Sequence, residues 1–451
     1  MKIIIVGCGK VGVSIANNLN EEGHNITLID TNKDILESAS TTYDVMGIVG
    51  NGASYQIQNE AGIDQADLLI AVTGSDELNL LCCLLAKKNK NCKKIARVRN
   101  PIYSKEIDYI KEELGLSMII NPELAAANEM ARVLRFPGAI KVETFAKSRV
   151  ELLEIQIPQG SVLHNMKVMD ISSKLKCNIL ICGVVREDQI VIPTGSYVLQ
   201  AMDKITIVAP PKLAVEFFKI IEIIPHPVHS TLIVGGGTLS FYLAKQLIDM
   251  GIDVKIIEIN RDKCRQLSDV LPEATIINGD GTDQEVLLEE GINYVESFIA
   301  LTNVDEENLI LSLYARSLSK AKLITKVTRL KCDDIVDSLK LGSIISPQNI
   351  TTEYILQYVR ALQNSVGSNV ETLYKIINNR AEALAFNIKS QSPVIGVPLE
   401  DLNIKSDLLV CCMLRKGKVM VPKGKDSIQL GDTVIVVTTQ SGLNDIRDIL
   451  V

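Results

Sequence analysis

The sequence contains no tryptophan among its 451 residues, and aromatic residues make up only 4% of it. Proteins that bind single-stranded nucleic acids stack the bases on aromatic side chains, so a base-stacking surface is not expected. Positive charge is not in excess either, because 47 lysines and arginines stand against 54 aspartates and glutamates, a formal net charge of −7. This balance disfavours general nucleic-acid binding. The hydrophobic core must be mainly aliphatic.

Long apolar runs are also missing, since none reaches the roughly 18 residues that a membrane-spanning helix requires. The N-terminus, MKIIIVGCGKVG, has glycines that interrupt its apolar stretch at once, so it does not resemble a secretory signal. The ten cysteines form no C-x-x-C pair, and most lie in apolar runs, where a free thiol packs as a small hydrophobic side chain. These features favour a protein of the reducing cytoplasm.

An internal repeat organises the rest of the sequence. Residues 3–30, IIIVGCGKVGVSIANNLNEEGHNITLID, match residues 231–258, TLIVGGGTLSFYLAKQLIDMGIDVKIIE. The match continues over the segments that start at Gly50 and Gly279 and reaches the end of the chain. Repeats of this kind decide the architecture. We therefore interpret the chain as one unit of about half its length, duplicated, with a short linker at 225–229.

Each unit begins with aliphatic strands that alternate with helical patterns. In the first copy an aliphatic strand, a helix and a second strand ending at Asp30 come first, and further strands are predicted at 45–49, 68–72, 94–98 and 118–120. Continuously aliphatic strands separated by helices predict a parallel sheet covered on both faces. After about residue 140 the pattern changes to short alternating segments with turn signals, which predicts a smaller, strand-rich domain.

The expected fold class is therefore α/β: two tandem Rossmann-like, doubly wound parallel-sheet domains, each followed by a small α+β domain. The expected boundaries are 1–138 and 225–364 for the Rossmann-like domains, and 139–224 and 365–451 for the small domains. A predicted helix places Leu124, Ala127, Ala131 and Leu134 on one apolar face. This face could pack against another subunit or within the monomer, and both alternatives stay open.

The glycine pattern Gly7-x-Gly9-x-x-Gly12 follows a strand, opens a helix, and is followed at the end of the next strand by Asp30. In a dinucleotide fingerprint the three glycines allow a tight turn, close approach of phosphates, and close packing of helix on strand. The helix N-terminus stabilises the phosphates, and the acid accepts hydrogen bonds from ribose hydroxyls, which disfavours the 2′-phosphate of NADP. In the second copy Ser240 replaces the third glycine and Glu258 is the acid.

Two weaker signals accompany the fingerprint. Thr73 and Thr302 each precede an acid by three residues, which is typical of a capping box, although the same loop would lie at the carboxyl end of the sheet, where such folds bind ligands. Cys8 precedes the first helix, where its pKa could be lowered, but a small residue that fills the loop is the simpler interpretation.

No catalytic residues and no metal site are predicted. The four histidines, at positions 24, 164, 226 and 229, do not occupy equivalent places in the two copies. The H-E-x-x-H, Walker lysine and G-x-S-x-G motifs are absent from the sequence.

Four segments, IIIVGCGKVG, ITLID, ADLLIAVTGSDELN and IARVRNP, carry a resemblance to a known family. The chain resembles proteins built from regulator-of-potassium-conductance domains, also called RCK or KTN domains, over essentially its whole length. The resemblance implies a cytosolic regulator, peripheral on the inner face of the cell membrane, that binds NAD(H) or, at one of the copies, ATP or ADP. It further implies self-association into a ring that gates a potassium-translocating membrane subunit of the TrkH/TrkG type.

Carried over by position, the resemblance implies a cofactor site in each copy. In the first copy it would consist of Gly7, Cys8, Gly9, Lys10, Val11, Asp30, Asn51, Thr73, Gly74 and Arg97. In the second it would consist of Gly235, Gly236, Gly237, Thr238, Leu239, Glu258 and Asp280. Asn51 stands where the family usually has the aspartate that Asp280 keeps. The nucleotide preference of each copy and the occupancy of the second therefore stay open.

Two other functions are kept as alternatives. The chain could be an NAD-dependent dehydrogenase with a duplicated fold, which would require a catalytic acid or base in the small domains. Their strand-rich segments, 150–208 and 380–437, are poor in histidine. The same nucleotide sensor could also regulate a different cation transporter, because the sequence carries no readable motif for the partner surface.

Overall fold

A computed structural model describes residues 1–89, 91–136, 141–145, 150–177, 179–187, 189–221, 228–328, 339, 341–364, 370–376, 380–440, 442–443 and 445–451. Most of the expected linker, at 225–227, and Cys332 lie outside the described residues. Among the described residues, no helix has both the length and the apolar character needed to cross a membrane.

The first Rossmann-like domain contains a six-stranded parallel sheet with the strand order β3-β2-β1-β4-β5-β6. The strands are β1 (Lys2–Val6), β2 (Asn25–Asp30), β3 (Met46–Val49), β4 (Leu68–Ala71), β5 (Lys93–Arg97) and β6 (Met118–Ile120). The helices are α1 (Lys10–Glu21), α2 (Lys33–Thr42), α3 (Tyr55–Glu60), α4 (Asp76–Ala86), α5 (Ile107–Leu114) and α6 (Pro122–Arg135). Every residue of β4 is buried, as its unbroken aliphatic sequence predicts for a central strand.

The second Rossmann-like domain repeats this order as β14-β13-β12-β15-β16-β17. Its strands are β12 (Ser230–Val234), β13 (Asp253–Glu258), β14 (Thr275–Asn278), β15 (Ser297–Ala300), β16 (Lys322–Lys326) and β17 (Ser343–Ile345). Its helices are α9 (Thr238–Asp249), α10 (Arg261–Val270), α11 (Gln284–Glu289), α12 (Asp305–Leu318) and α13 (Pro347–Asn364). The order reverses direction between β1 and β4, and between β12 and β15, and such switch points are where open α/β sheets bind ligands.

Each small domain is built on an antiparallel five-stranded sheet, in the order β10-β9-β11-β8-β7 for the first and β18-β19-β22-β20-β21 for the second. The first contains β7 (Lys141–Phe145), β8 (Val150–Gln156), α7 (Val168–Leu175), β9 (Leu180–Arg186), β10 (Gln189–Val191), β11 (Lys204–Ala209) and α8 (Pro211–Ile220). The second contains β18 (Val370–Ile376), β19 (Ala381–Asn387), β20 (Leu408–Arg415), β21 (Lys418–Met420) and β22 (Thr433–Thr438). The fold class expected from the sequence is thus confirmed.

The four domains group into two compact units. One unit combines Met1–Ala131 with His229–Leu356, and the other combines Arg132–Val228 with Gln357–Val451. The first unit therefore holds both parallel sheets, and the second holds both small domains. Each unit joins like domains of the two copies, an arrangement that the linear order of the repeat did not reveal.

Hydrogen bonds connect the two copies within the first unit. Gln246 Nε2 on α9 donates to Asn128 Oδ1 on α6 at 2.8 Å. On the other side, Gln348 Nε2 on α13 donates to the backbone oxygen of Lys10 at 3.1 Å. The helix after the last strand of each sheet thus contacts the first helix of the other copy.

The apolar face predicted on α6 is used within the chain. Ala127 is fully buried, and Ala131 and Leu134 are 5% and 2% exposed. Only Leu124 is half-buried. Of the two alternatives for this face, packing within the monomer is correct, so it does not offer an apolar surface to another subunit.

Candidate functional site

The loop between β1 and α1 has the conformation that the glycine pattern predicts. Gly7 lies in the left-handed region at φ +101°, and a Cβ there would come within 2.9 Å of the backbone nitrogen of Thr73. A Cβ on Gly12 would come within 1.9 Å of the backbone oxygen of Gly7. A Cβ on Gly9, in contrast, would meet nothing within 4 Å. The loop is tight where it packs on the sheet and open at Gly9, the position where a dinucleotide fingerprint lets phosphates approach.

Asp30, at the end of β2, lies beside this loop. Its Oδ2 accepts a 2.6 Å hydrogen bond from the backbone nitrogen of Cys8, and its Oδ1 accepts one of 2.9 Å from the nitrogen of Asn32. The carboxylate is half-buried and still lines the cavity described below. It therefore braces the loop and also lies at the wall of the cavity.

Cys8 is not an activated thiol. Its side chain is buried, and burial together with the nearby Asp30 carboxylate raises the pKa of the thiol to about 12. The alternative of a lowered pKa at the helix N-terminus is wrong, because desolvation and a neighbouring negative charge both oppose the thiolate. Cys8 contributes its backbone N–H, which donates to the Asp30 carboxylate.

The loop after β4 differs from the capping box suggested by its sequence. The N-cap of α4 is Ser75, whose Oγ accepts from the nitrogen of Leu78, and not Thr73. The Asp76 carboxylate accepts from the backbone nitrogens of Arg99 and Asn100 instead of closing a box. In the second copy the N-cap is Val304, which has no capping side chain, so Thr302 forms no capping box there either. The loop is held by contacts to the end of β5.

A cavity of about 600 Å³ opens over the carboxyl ends of β1, β2, β4 and β5. Nine of the ten residues expected for the first site line it, and Cys8 is the exception. These nine are Gly7, Gly9, Lys10, Val11, Asp30, Asn51, Thr73, Gly74 and Arg97. The structure thus brings together residues that lie at or just after the carboxyl ends of five strands, at one edge of the sheet.

The lining also includes residues that sequence reasoning missed. Pro122 and Glu123 come from the start of α6, and Thr328, Pro347 and Gln348 come from the second copy. The contribution of the second copy depends on how the two sheets are packed, which no local pattern encodes. Pro122 and Pro347 open equivalent helices, so the proline before an aliphatic helix in each copy was the available signal.

The end of the cavity near α6 carries opposite charges that are incompletely paired. Arg97 donates through Nη2 to the backbone oxygen of Thr73, while Arg99 Nη1 lies 3.9 Å from Glu123 Oε1. Burial raises the pKa of Glu123 and lowers that of Arg97. Within the described part of the chain, the buried Arg97 Nε and Glu123 Oε2 have no hydrogen-bond partner. A polar ligand at this end would satisfy such groups.

The second loop reproduces the first with one adjustment. Gly235 lies at φ +103°, and Glu258 accepts at 2.7 Å from the nitrogen of Gly236 and at 2.8 Å from that of Asn260. Ser240 is buried, and its hydroxyl donates to the backbone oxygen of Gly235. The serine at the third glycine position is therefore accommodated by a hydrogen bond.

The structure also describes the other residues expected for the second site. Gly237 is open in the same way as Gly9, Thr238 is exposed, and Leu239 is buried. Asp280 Oδ1 accepts from the nitrogen and the hydroxyl of Thr282, which lowers the pKa of the carboxyl. None of the seven residues expected for the second site lines the 600 Å³ cavity.

A nucleotide fits the first cavity better than a metal ion does. Open backbone at Gly9 next to the start of α1 suits a phosphate, and a carboxylate stands at the end of the adjacent strand. Across the described residues, His, Cys, Asp and Glu form no group of three or more that could hold a metal ion.

Comparisons with known proteins agree with this arrangement. The model of the TrkA-N domain family matches residues 3–122 and 231–347, and that of the TrkA-C domain family matches residues 152–222 and 384–451. The chain is 32% identical to the Trk system potassium uptake protein TrkA homolog 1 of Methanosarcina mazei, over 99% of each chain. It is also 32% identical to the TrkA homolog of Archaeoglobus fulgidus, over 100% of each.

The fold also resembles solved structures. The crystal structure of the GsuK RCK domain superposes with a TM-score of 0.64 at 14% identity, covering 97% of this chain and 92% of that one. The structure described as the GsuK channel bound to NAD gives a TM-score of 0.63 at 14% identity, covering 97% of this chain and 76% of that one. At this identity the likeness shows the fold.

Proposed function

We propose that this chain, which belongs to the TrkA family of potassium uptake proteins, is the nucleotide-binding regulatory subunit of a Trk-type potassium uptake system. It binds NAD(H), or ATP or ADP at one of its copies, and gates a potassium-translocating membrane subunit of the TrkH/TrkG type. It acts in the cytoplasm, peripherally on the inner face of the cell membrane.

The observation that supports this proposal most directly is the cavity built by the glycine loop and Asp30. The open backbone of Gly9 at the start of α1 suits a pyrophosphate, and Asp30 suits the ribose hydroxyls. Gln348 from the second copy contacts the backbone of Lys10 at the rim of the same cavity. A ligand there would therefore alter the contact between copies, as a regulatory ligand must if it is to shift an equilibrium between two states.

Regulation is preferred over dehydrogenase activity because the cavity is poor in groups that transfer protons near neutral pH. The titratable side chains that line the described cavity are those of Lys10, Asp30, Arg97 and Glu123, without a histidine. A dehydrogenase would also need a catalytic acid or base in the small domains, whose strand-rich segments 150–208 and 380–437 are poor in histidine.

Calorimetry with the purified chain tests the ligand. We expect heat of binding with NAD, NADH, ATP or ADP, and no change in nicotinamide absorbance when small hydroxy acids are added. Gly9→Asp places a carboxylate where the phosphates would lie, so it should abolish binding at the first site. Absence of heat with all four nucleotides, or steady turnover of the nicotinamide, would contradict the proposal.

Potassium uptake in cells that lack this protein tests the physiological role. Complementation with Gly9→Asp should restore less nucleotide-regulated uptake than the wild type, with both proteins expressed at equal levels. The matched control is Gly237→Asp, which makes the same change in the second loop. Equal regulation by the wild type and both variants would refute sensing through these loops, and copurification with a different cation transporter would favour the alternative partner.

We also propose that the chain assembles into a ring through its outer helices. The α6 face is buried within the chain, but Leu81 and Leu84 on α4 and the equivalent helix residue Ile310 on α12 are exposed. Apolar side chains exposed at corresponding places in both copies suit a repeated contact between subunits. Light scattering should show an oligomer that Leu81→Glu dissociates, and a stable monomer of the wild type at micromolar concentration would refute the ring.

A further inference from the structure

Two cysteines of the small domains occupy equivalent places in the repeat. Cys182 lies on β9 and Cys411 on β20, the corresponding strand of the second copy. Each sits at a β-bulge. Thr206 and Ile207 of β11 pair with Gly183 and Ile181, which leaves Cys182 as the extra residue. In the same way β22 pairs with Val410 and Cys412 and passes over Cys411. A bulge of this kind re-aims the side chain that it carries.

The two bulges place their cysteines in the same core. Both cysteines are fully buried and belong to one hydrophobic core that residues of both small sheets share. The Cys182 thiol donates to the backbone oxygen of Thr206 and the Cys411 thiol to that of Leu409, and the strands β9 and β20 that carry them contact each other. The two thiols therefore lie on neighbouring strands inside the second compact unit, in the core that the small sheets of the two copies share.

We propose that Cys182 and Cys411 form a redox-sensitive pair whose oxidation to a disulfide locks the two small sheets together. This bond would link residues that are far apart in the sequence, and closing a long loop removes much of the conformational freedom of the unfolded chain. The lock would make the second unit more resistant to opening. The proposal is independent of the nucleotide site.

A peroxide can supply the oxidising equivalents. One thiol sulfur attacks a peroxide oxygen, the O–O bond breaks, and a sulfenic acid and one water form. The sulfur of the second thiol then displaces the sulfenic oxygen as a second water, and the S–S bond forms. Two thiols and one hydrogen peroxide thus give one disulfide and two waters, with the sulfurs oxidised and the peroxide oxygens reduced.

Burial controls the rate of this reaction. The thiolate is the reactive form of cysteine, and desolvation in the core raises the pKa of Cys411 well above its usual range. Oxidation should therefore be slow while the sheets are packed and faster whenever they separate. The pair would respond to sustained oxidation and hold the unit in the packed arrangement.

Peptide mapping of the full-length chain tests the proposal. The reduced protein is treated with hydrogen peroxide, alkylated with iodoacetamide and digested with trypsin without reduction. We expect peptide 177–186 joined to peptide 406–415, and loss of this species on reduction with dithiothreitol. Each peptide holds a second cysteine, Cys177 or Cys412, so the double variant C177A/C412A leaves one thiol on each. The link should persist in that variant.

Cys182→Ala or Cys182→Ser should remove the link, and the unlinked variant should retain the circular dichroism of the wild type.

In C177A/C412A, oxidation should raise the midpoint of thermal unfolding, and dithiothreitol should reverse the increase. Met169 is 63% exposed and serves as an internal control, because peroxide should convert it to the sulfoxide. Detection of that sulfoxide shows that the oxidant acted. The proposal that Cys182 and Cys411 form a disulfide would be overturned if Met169 were oxidised while both cysteines were still recovered as alkylated thiols. A disulfide that formed without raising the midpoint of thermal unfolding would overturn the proposal that it locks the two small sheets together.

Discussion

The two glycine loops of this chain share one backbone but differ in the side chains that a ligand would meet. Gly7 and Gly235 have nearly the same φ, +101° and +103°, and in each copy an acid at the end of the second strand accepts two backbone N–H groups. Asp30 is half-buried, whereas Glu258 is only 7% exposed. The comparison teaches that bracing the loop and presenting oxygens to a ligand are separable roles of the acid.

The charge of the side chains around the two glycine loops also differs between the copies. Lys10 in the first loop becomes Thr238 in the second, and Asn51 becomes Asp280. The first site is therefore more positive by two charges at these positions. A polyanionic ligand such as a nucleotide is favoured by the first site on electrostatic grounds.

The largest expected effect is at the third glycine position. Gly12→Ser should lower the stability of the first unit by about 1–3 kcal/mol, because its Cβ would lie 1.9 Å from the Gly7 backbone oxygen and the loop must shift. Nucleotide binding at the first site should weaken with it. Thermal unfolding and calorimetry measure the two effects.

Ser240→Gly is the matched reverse change. It removes the hydrogen bond to Gly235 and places a glycine within α9, so the loss of stability should be about 0.5–1.5 kcal/mol. If Gly12→Ser cost no more than Ser240→Gly, the first loop would be as adaptable as the second, and the tight packing at Gly12 would not matter.

Replacing Glu258 and replacing Asp30 should have different effects on stability and on nucleotide affinity. Glu258→Ala leaves the buried N–H of Gly236 without its acceptor and should cost about 1–3 kcal/mol of stability. Asp30→Ala should cost less stability, since its hydrogen bonds are more exposed, but it should weaken nucleotide binding by about 1–3 kcal/mol. Equal losses of stability in the two variants would remove the distinction between the roles.

Sequence patterns predicted the strands, the glycine loops and the acids because these are local features. An unbroken aliphatic run such as β4 and a glycine that must adopt a positive φ each leave a signature in a few neighbouring residues. The position of Gln348 at the first cavity and the shared core of Cys182 and Cys411 could not be predicted, because they depend on how the two copies pack. The capping box at Thr73 failed because Asp76 finds stronger partners at the end of β5.

A smaller effect is the pH dependence of stability that Glu151 contributes in the first small domain. Burial raises the pKa of Glu151 on β8 to about 7, against the opposing charges of Arg135 and Arg132. Between about pH 4.5 and 7 the folded chain therefore binds more protons than the unfolded chain, so this group makes stability fall as pH rises. Glu151→Gln should reduce that fall in thermal melts. Wild-type protein melted over the same pH range is the control. An unchanged pH profile in Glu151→Gln would contradict the assignment.

The smallest effect is expected from exchanging the residues after the third strand of each sheet. Asn51 Oδ1 accepts a 2.9 Å hydrogen bond from the nitrogen of Ala53, and Asp280 Oδ1 accepts one of 2.9 Å from that of Thr282. Asn51→Asp therefore keeps the turn and changes only the charge of an exposed side chain that lines the cavity. Nucleotide affinity at the first site should fall by about 0.5 kcal/mol, and added salt should diminish the loss. Asp280→Asn makes the opposite change in the second loop and should strengthen any binding there by a similar amount. Calorimetry of both variants at low and high salt measures these differences. If Asn51→Asp strengthened binding at low salt, charge at this position would not explain the difference between the two copies.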